Sequence, residues 1–414
     1  MSPGAHDDTI PVELEQTCAQ EPIHLLGTVQ AYGFLMVVDL ASRCVVQVSA
    51  GIVRHWPGLR DAHALLSRPL SEWAAAVDGD EPLDIASLPT THLAVLPWRP
   101  RFEQTGSVQE PPPGLQWECL GHRRGAVAVL EWLPVNVSAD ETQRQSQVFA
   151  DFGEVIARLR RAEGLEAFFG ECVKVIQEIS GFDRVMIYRF LSDGCGEIVA
   201  EHTAPGYRQK YLGLRFPPSD VPSQARELYL INKLRVLADV EASMDTLVPP
   251  TLPNGDSLDQ SHCMLRGLSP VHLVYLRNMG VRATLTLSIV CDGKLWGLIA
   301  CHHHQPRTPP AQIREGMRQF SELLAEIATM RIEALSNLEG SRHPLRHSRT
   351  TIPFGNLRRH RHPARPWPHG RRTAAARGPG AVQGQVPGPQ PQRGLRTGDG
   401  GEPARPLPAR TRPG

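Results

Sequence analysis

Residues 33–49, GFLMVVDLASRCVVQVS, set two runs of apolar and β-branched residues on either side of a polar stretch, Asp39–Arg43. Branched side chains pack well on a pleated surface and the polar stretch supplies a turn, so the pattern predicts a hairpin. His92–Leu96, Leu115–Cys119 and Ala126–Leu133 are further strand candidates. Ser71–Val77 reads as a helical piece and Pro111–Gly114 as a loop. Short strands with helical pieces between them predict a small α+β domain on an antiparallel sheet.

The period changes at Ser146. Phe149, Phe152, Val155, Ile156 and Leu159, then Leu165, Phe168, Phe169, Cys172, Val175, Ile176 and Ile179, recur mostly at spacings of three and four. That spacing predicts long amphipathic helices, closed by Gly181. Strands are predicted again over Arg184–Phe190, Glu197–His202, Leu234–Val240, Thr284–Cys291 and Leu295–His302, with Asp292-Gly293 as a tight hairpin turn. A second α+β domain is therefore expected. A last helix over 311–337 carries an apolar stripe of Ile313, Met317, Phe320, Leu323, Leu324, Ile327 and Met330. Nothing later in the sequence would cover that stripe, so a second copy of the chain is its expected cover.

After Glu339 the periodicity stops. The segment 340–414 holds 15 Arg, no Lys and 2 acids, a net charge of +13, which leaves −12 on the rest of a chain whose total is +1. Such a composition cannot bury enough surface to offset chain entropy, and disorder is expected. A nucleic-acid-binding arm and the translation of a shifted frame in GC-rich DNA would both look like this, and the second reading is preferred. No base-reading motif accompanies the arginines, so nucleic acid is not an expected partner. No run approaches the roughly 18 to 20 apolar residues of a membrane span. The opening MSPGAHDDTIPVELEQ is polar and acidic, unlike a secretory signal. A cytoplasmic protein without membrane attachment is expected. The 8 Cys have no CxxC pair, which argues against a zinc ribbon or disulfide scaffold and leaves room for one reactive thiol.

Three segments carry the functional signal: Cys18-Ala-Gln-Glu-Pro-Ile-His24; Phe216-Pro-Pro-Ser-Asp-Val-Pro222 with Ser-Gln-Ala-Arg-Glu-Leu-Tyr229; and Arg266-Gly-Leu-Ser-Pro-Val-His-Leu-Val-Tyr-Leu-Arg-Asn-Met-Gly280 with Leu295-Trp-Gly-Leu-Ile-Ala-Cys-His-His303 downstream. Each alone is weak, but their order and spacing over residues 10–335 resemble the bacteriophytochrome family. The resemblance implies a PAS domain at 20–135 and a GAF domain at 140–310, each a central antiparallel sheet flanked by helices. It also implies a flexible segment 1–19, a figure-of-eight knot between that segment and a GAF loop, a connecting helix at 311–338 and a disordered tail at 339–414. The implied activity is red/far-red light sensing by a bound biliverdin IXα, with a homodimer through the GAF helices.

A bilin is a flat apolar tetrapyrrole with two propionates, so its site needs an apolar slot, cations, an N–H acceptor and, for a covalent link, a thiol. By resemblance Cys18 supplies the thioether to the A-ring. Asp220, in a backbone fixed by the neighbouring Pro222 and followed by Val221, offers its carbonyl to the pyrrole nitrogens; capping the following helix is its ordinary alternative. Arg235 and Arg266 match the propionate-binding arginines, whose guanidinium forks suit carboxylates. Tyr229, Ser269, Thr284 and Thr286 supply hydroxyls. His272 matches the residue against the central pyrroles and His302 the partner of the D-ring carbonyl. Met186, Tyr188, Phe216 and Tyr275 wall the rotating D-ring. The run Cys301-His-His-His304 invites a metal, but successive strand residues face opposite ways, so none is expected.

Two departures stand out. The family's Ile-Gln-Pro-His-Gly is here Val29-Gln30-Ala31-Tyr32-Gly33, and no PHY or kinase segment follows the last helix. The expectation is a bilin protein with no catalytic output of its own, passing its signal to a separate partner. Competing readings are a PAS/GAF sensor of a non-bilin ligand, a degenerate photoreceptor, and a hydrolase using Ser219, His272 and Asp220. No nucleophile-elbow glycines surround Ser219, which counts against the last.

Overall fold

A computed structural model describes residues 21–77, 82–101, 115–136, 152–207, 209–307 and 326–334, all within the first of two compact units, which ends at Pro366. Strands β1 (Thr28–Gln30), β2 (Phe34–Asp39) and β3 (Val45–Ser49) lead into helix α1 (Ile52–His55) and strands β4 (Ala74–Ala76), β5 (Ala94–Leu96), β6 (Trp98–Pro100), β7 (Leu115–Arg124) and β8 (Val127–Asn136). Helices α2 (Phe152–Arg161) and α3 (Gly164–Ser180) then precede β9 (Arg184–Phe190), β10 (Gly196–Thr203), β11 (Arg215–Phe216), α4 (Ser223–Ile231), β12 (Leu234–Leu237), β13 (Met244–Val248), α5 (Pro270–Asn278), β14 (Ala283–Cys291) and β15 (Lys294–His303). Residues 326–334 form helix α6.

The turns form where the sequence places them. Asp39 Oδ2 accepts from the Ser42 N–H at 2.7 Å and its hydroxyl at 2.8 Å, and Arg43 takes the left-handed conformation that lets the chain reverse into β3. Asp292 (φ 50°) and Gly293 (φ 70°) are both left-handed, as a two-residue hairpin matching strand twist requires. Gly181 ends α3 at φ 62°, its N–H donating to Gln177 O at 2.8 Å.

The first sheet has strand order β1-β13-β3-β2-β8-β7-β5, all pairs antiparallel. One face buries Phe34, Met36 and Val38 against Trp56, Trp73 and Trp132. The other buries Leu35 and Val37 in a core shared with Leu247, Met264 and Leu265 from the second half of the chain. That double burial explains why β2 reads as an unbroken apolar run. Strand β13, more than 200 residues from β1, completes this sheet by pairing Thr28 with Thr246 and Val48 with Val248.

The join is polar as well. Gln30 donates to Val236 O at 2.9 Å and accepts from the Ala238 N–H at 3.2 Å. Gln260 receives the Gly27 N–H on its side chain at 3.0 Å, and its own N–H reaches His24 O at 2.8 Å. The expected knot turns on residues 1–20, which lie outside the described residues.

The second sheet has order β11-β10-β9-β15-β14-β12. Alternation, interrupted by a bulge between Ile198 and Ala200, divides its side chains. Val185, Ile187, Leu285, Leu287, Ile299 and Cys301 enter the core with Phe168, Phe169, Val173 and Ile176 of α3. The residues between them face the other way and make the floor of the site.

One expectation is corrected. Ser71–Val77 is not helical: a 3-10 turn at Leu70–Glu72 passes into β4, whose Ala74–Ala76 pair with Trp98–Pro100. Alanine's helix preference of about 0.5 kcal/mol per residue yields to a backbone partner and burial. The last helix, where described, buries chiefly residues outside the expected stripe. Ala328 and Ile332 are 1% and 2% exposed in the core of the second domain, and Arg331 donates to Ala162 O at 3.1 Å. Met330 is exposed. Of the expected stripe, the described residues include only Met330 and the partly buried Ile327; residues 311–325 and 335–338 lie outside the described residues, as does the tail.

Candidate functional site

The floor is read directly from strand register. One row crosses the sheet as Met186–Ala300–Thr286–Arg235, and the next as Arg184–His302–Thr284–Leu237. Tyr188 pairs with Leu298, and all the even positions 284, 286, 298, 300 and 302 share this face. The alternation in Thr284-Leu-Thr-Leu287 thus divides hydroxyls toward the site from leucines toward the helices.

The roof comes from the loop and helices that carry two of the sequence motifs. A 3-10 turn over Pro218–Asp220 leads into α4, which presents Gln224, Ala225, Leu228 and Tyr229. Ser269 precedes Pro270 at the first position of α5, which presents Val271, His272, Tyr275 and Leu276, a helical one-face spacing. Between floor and roof lies a predominantly apolar cavity of about 240 Å³.

Of the residues singled out from sequence, Met186, Tyr188, Phe216, Asp220, Val221, Pro222, Tyr229, Arg235, Arg266, Ser269, His272, Tyr275, Thr284, Thr286 and His302 all line this one cavity. Cys18 lies outside the described residues. Ile23, from the same motif as Cys18, does line it, and its carbonyl accepts from Arg266 at 2.9 Å. Tyr211 was not foreseen. Its ring sits 3.9 Å from the Arg184 guanidinium, and its N–H donates to Glu201 at 2.8 Å. Arg184 and Glu201 form a buried ion pair at 3.1 Å. No motif flags Tyr211, because its position depends on a pair drawn from two strands.

The polar groups are unevenly committed. Arg235 donates to Met264 O at 3.0 Å, to Gly267 O at 2.9 Å and to Arg266 O. It therefore clamps the 264–267 segment as well as lining the cavity. Tyr275 donates its hydroxyl to Asp220 Oδ2 at 3.2 Å. Asp220 does not cap α4: the cap position is Pro222, with no side-chain bond. Burial, with Arg235 second, lowers His272 to about 4, and burial, with Arg184 and His272, lowers His302 to about 3. Both rings are neutral at physiological pH. Among the described residues, Arg266 Nε, Ser269 Oγ, His302 Nδ1 and the Tyr188 hydroxyl are buried without a protein partner. Buried donors are normally paired. Four such atoms around one apolar slot fit a ligand carrying several acceptors.

An antiparallel PAS-type sheet joined to a sheet-and-helix domain with a lined ligand cavity defines a sensory module. A PAS fold family matches residues 18–72 and the GAF domain family matches residues 164–332. A bacteriophytochrome of Xanthomonas campestris pv. campestris is 35% identical over 345 residues, 81% of this chain and 50% of that protein. Cyanobacterial phytochrome B of a Nostoc species is 31% identical over 342 residues, 81% of this chain and 43% of that one. The chain spans about half or less of the length of these curated relatives. The crystal structure of the chromophore-binding domain of an unusual bacteriophytochrome from R. palustris superposes with a TM-score of 0.63 at 30% identity, covering 78% of this chain and 99% of that one. The Stigmatella aurantiaca phytochrome photosensory core module gives 0.65 at 29% identity, covering 78% and 61%. The chain belongs to the bacteriophytochrome family.

Proposed function

We propose that this PAS–GAF module binds biliverdin IXα, covalently through Cys18, and senses red and far-red light by rotation at the D-ring. The observation that carries the reading is the meeting of fifteen sequence-singled residues in one apolar cavity with four unpartnered buried polar atoms. Bound bilin would supply the red absorption and the rotating double bond. Arg266 would hold a propionate through its unpartnered Nε, and Ser269 would add a hydroxyl. His272 and His302, kept neutral, hydrogen-bond without competing for the chromophore's proton. Phe216, with its ring centroid 5.9 Å from that of Tyr188 and 6.5 Å from that of Tyr211, would bound the space for rotation together with those two rings.

Cys18 is five residues before Ile23 in sequence. An extended chain of that length reaches about 17 Å, enough to bring a thiol along the cavity. The thiol S–H would add across a vinyl group with nothing leaving.

The test is expression of the full chain with a biliverdin source, beside Cys18→Ala, followed by a zinc-stained denaturing gel and a far-red spectrum. A fluorescent band lost in the variant, with a red absorption peak in the wild type, is the expected result. Folded protein with neither band nor red absorption would instead favour a PAS/GAF sensor of another ligand.

A further inference from the structure

A second cluster lies at one end of the GAF sheet, where three adjacent strands finish. Asp183 immediately precedes β9, His303 is the last residue of β15, and Tyr207 follows β10 after a short turn. Since β9 and β15 are antiparallel neighbours, Asp183 and His303 emerge side by side. The alternation that sends Cys301 and His303 to one face and His302 to the other ends with the strand. His304 is therefore released from that pattern and turns back. His303 Nδ1 is 2.5 Å from Asp183 Oδ2, and His304 Nδ1 contacts the same oxygen. The three ligand-type atoms all lie within 4.8 Å of one another. The expectation that neighbouring residues of this run diverge assumed a strand continuing through His304, whereas β15 ends at His303.

We propose that Asp183, His303 and His304 form a binding site for a divalent transition-metal ion, zinc in the first instance. Two imidazole nitrogens and a carboxylate oxygen are a donor set zinc accepts, with water in the fourth position. The scaffold holds two of the three ligands firmly: Asp183 and His303 are only 13% and 14% exposed. Asp183 is anchored further by the His304 backbone N–H at 2.9 Å. Two ligands of a tetrahedral zinc lie roughly 3.3 Å apart, so Asp183 Oδ2 and His303 Nδ1 part slightly on binding, while His304, at 53% exposed, turns outward and leaves the remaining coordination position open to water. The Tyr207 hydroxyl, 3.1 Å from His304 Nδ1, contacts the same nitrogen and has to yield it to the ion. Without an ion, one carboxylate oxygen faces two imidazoles and a backbone N–H together. Arg307, whose guanidinium lies over the Phe182 ring beside His303, is the nearby cation that tempers affinity. The site stands apart from the bilin cavity and does not depend on the chromophore reading. It is one residue from His302, so occupancy would stiffen the strand end that carries that side chain.

The full chain, produced without biliverdin and without an affinity tag, is stripped with chelator and titrated with ZnCl2 by calorimetry, with thermal unfolding followed in parallel. The expected result is saturable uptake that raises the melting temperature. His304→Ala, an exposed position where folding is not at stake, should weaken that uptake by about tenfold or more and abolish the thermal shift, as loss of a ligand does. The other histidines of the chain can bind zinc without stabilising the fold, so the thermal shift separates them. No zinc-dependent shift in the wild type, or an equal shift in His304→Ala, overturns the site. His302→Ala should leave the shift in place; its loss would place the ion in the cavity instead and equally overturn it.

Discussion

Glu131 and Arg235 grip the same short segment of chain from opposite domains. Glu131, on β8 of the first sheet, accepts from the Met264 N–H at 3.0 Å and the Leu265 N–H at 2.6 Å. Arg235, in the cavity floor, holds the carbonyls of Met264, Arg266 and Gly267. Between them they fix the backbone that delivers Arg266 and Ser269 to the site.

This relationship makes stability depend on pH. Burial pushes the Glu131 carboxyl up to about 7, partly offset by its two backbone donors and Arg235. A carboxyl raised in the folded state favours folding fully below its ordinary value and loses that contribution as pH rises through 7. The difference of about 2.5 pH units is worth about 3 kcal/mol. Urea unfolding at pH 5.5 and 8 should show about 2 kcal/mol of this decline in the wild type. Glu131→Gln should flatten it, at a cost of about 1–3 kcal/mol for turning an amide N–H toward a backbone donor.

The cavity histidines act in the opposite sense. His272 and His302 are lowered to about 4 and about 3 by burial. A lowered histidine contributes stability above about 6.5 that is lost as pH falls toward the folded value, at most about 3 kcal/mol for His272 and about 5 kcal/mol for His302. The bilin-free protein should therefore weaken between pH 6.5 and 4, and His272→Gln should weaken less steeply. Acid unfolding followed by circular dichroism measures both.

Gly196 and Gly297 both touch Tyr188, with different consequences. A Cβ at Gly196 would lie 1.7 Å from the Tyr188 ring, whereas one at Gly297 would meet the Tyr188 backbone carbonyl at 2.5 Å. Gly196→Ala should displace the ring and change the red absorption and bilin affinity while the protein still folds. Gly297→Ala should instead separate β9 from β15 and lower the melting temperature before any spectral effect.

On the proposed function, Arg266 should discriminate a carboxylate from its ester. Loss of a charge-assisted bond costs about 1.5–3 kcal/mol, or tenfold and more in affinity. Arg266→Gln should weaken biliverdin binding by that factor and leave the dimethyl ester nearly unchanged. Equal losses for both ligands would mean that Arg266 acts only by holding Ile23.

Sequence alone delimited β9 at Arg184–Phe190, set the Asp292-Gly293 turn and named fifteen residues that share one cavity. These are local properties: strand alternation, the φ a turn demands and short motifs are written in neighbouring residues. The opposite facing of the hydroxyls and leucines of β14 is local in the same sense, since period-2 geometry dictates it wherever the strand pairs.

What pairs with what was decided only in three dimensions. Nothing near Met244–Val248 signals that it completes a sheet begun at Thr28, and nothing near Ala74 announces a partner at Pro100. Glu131 looks like an ordinary strand acid until Met264 and Leu265 bring their N–H groups to it. His303 and His304 read as divergent until the strand ends between them and Asp183 arrives from its neighbour. A periodic pattern fixes which way a side chain faces. The partner it meets depends on contacts between segments far apart in the chain, whose free energy appears only when both are folded together.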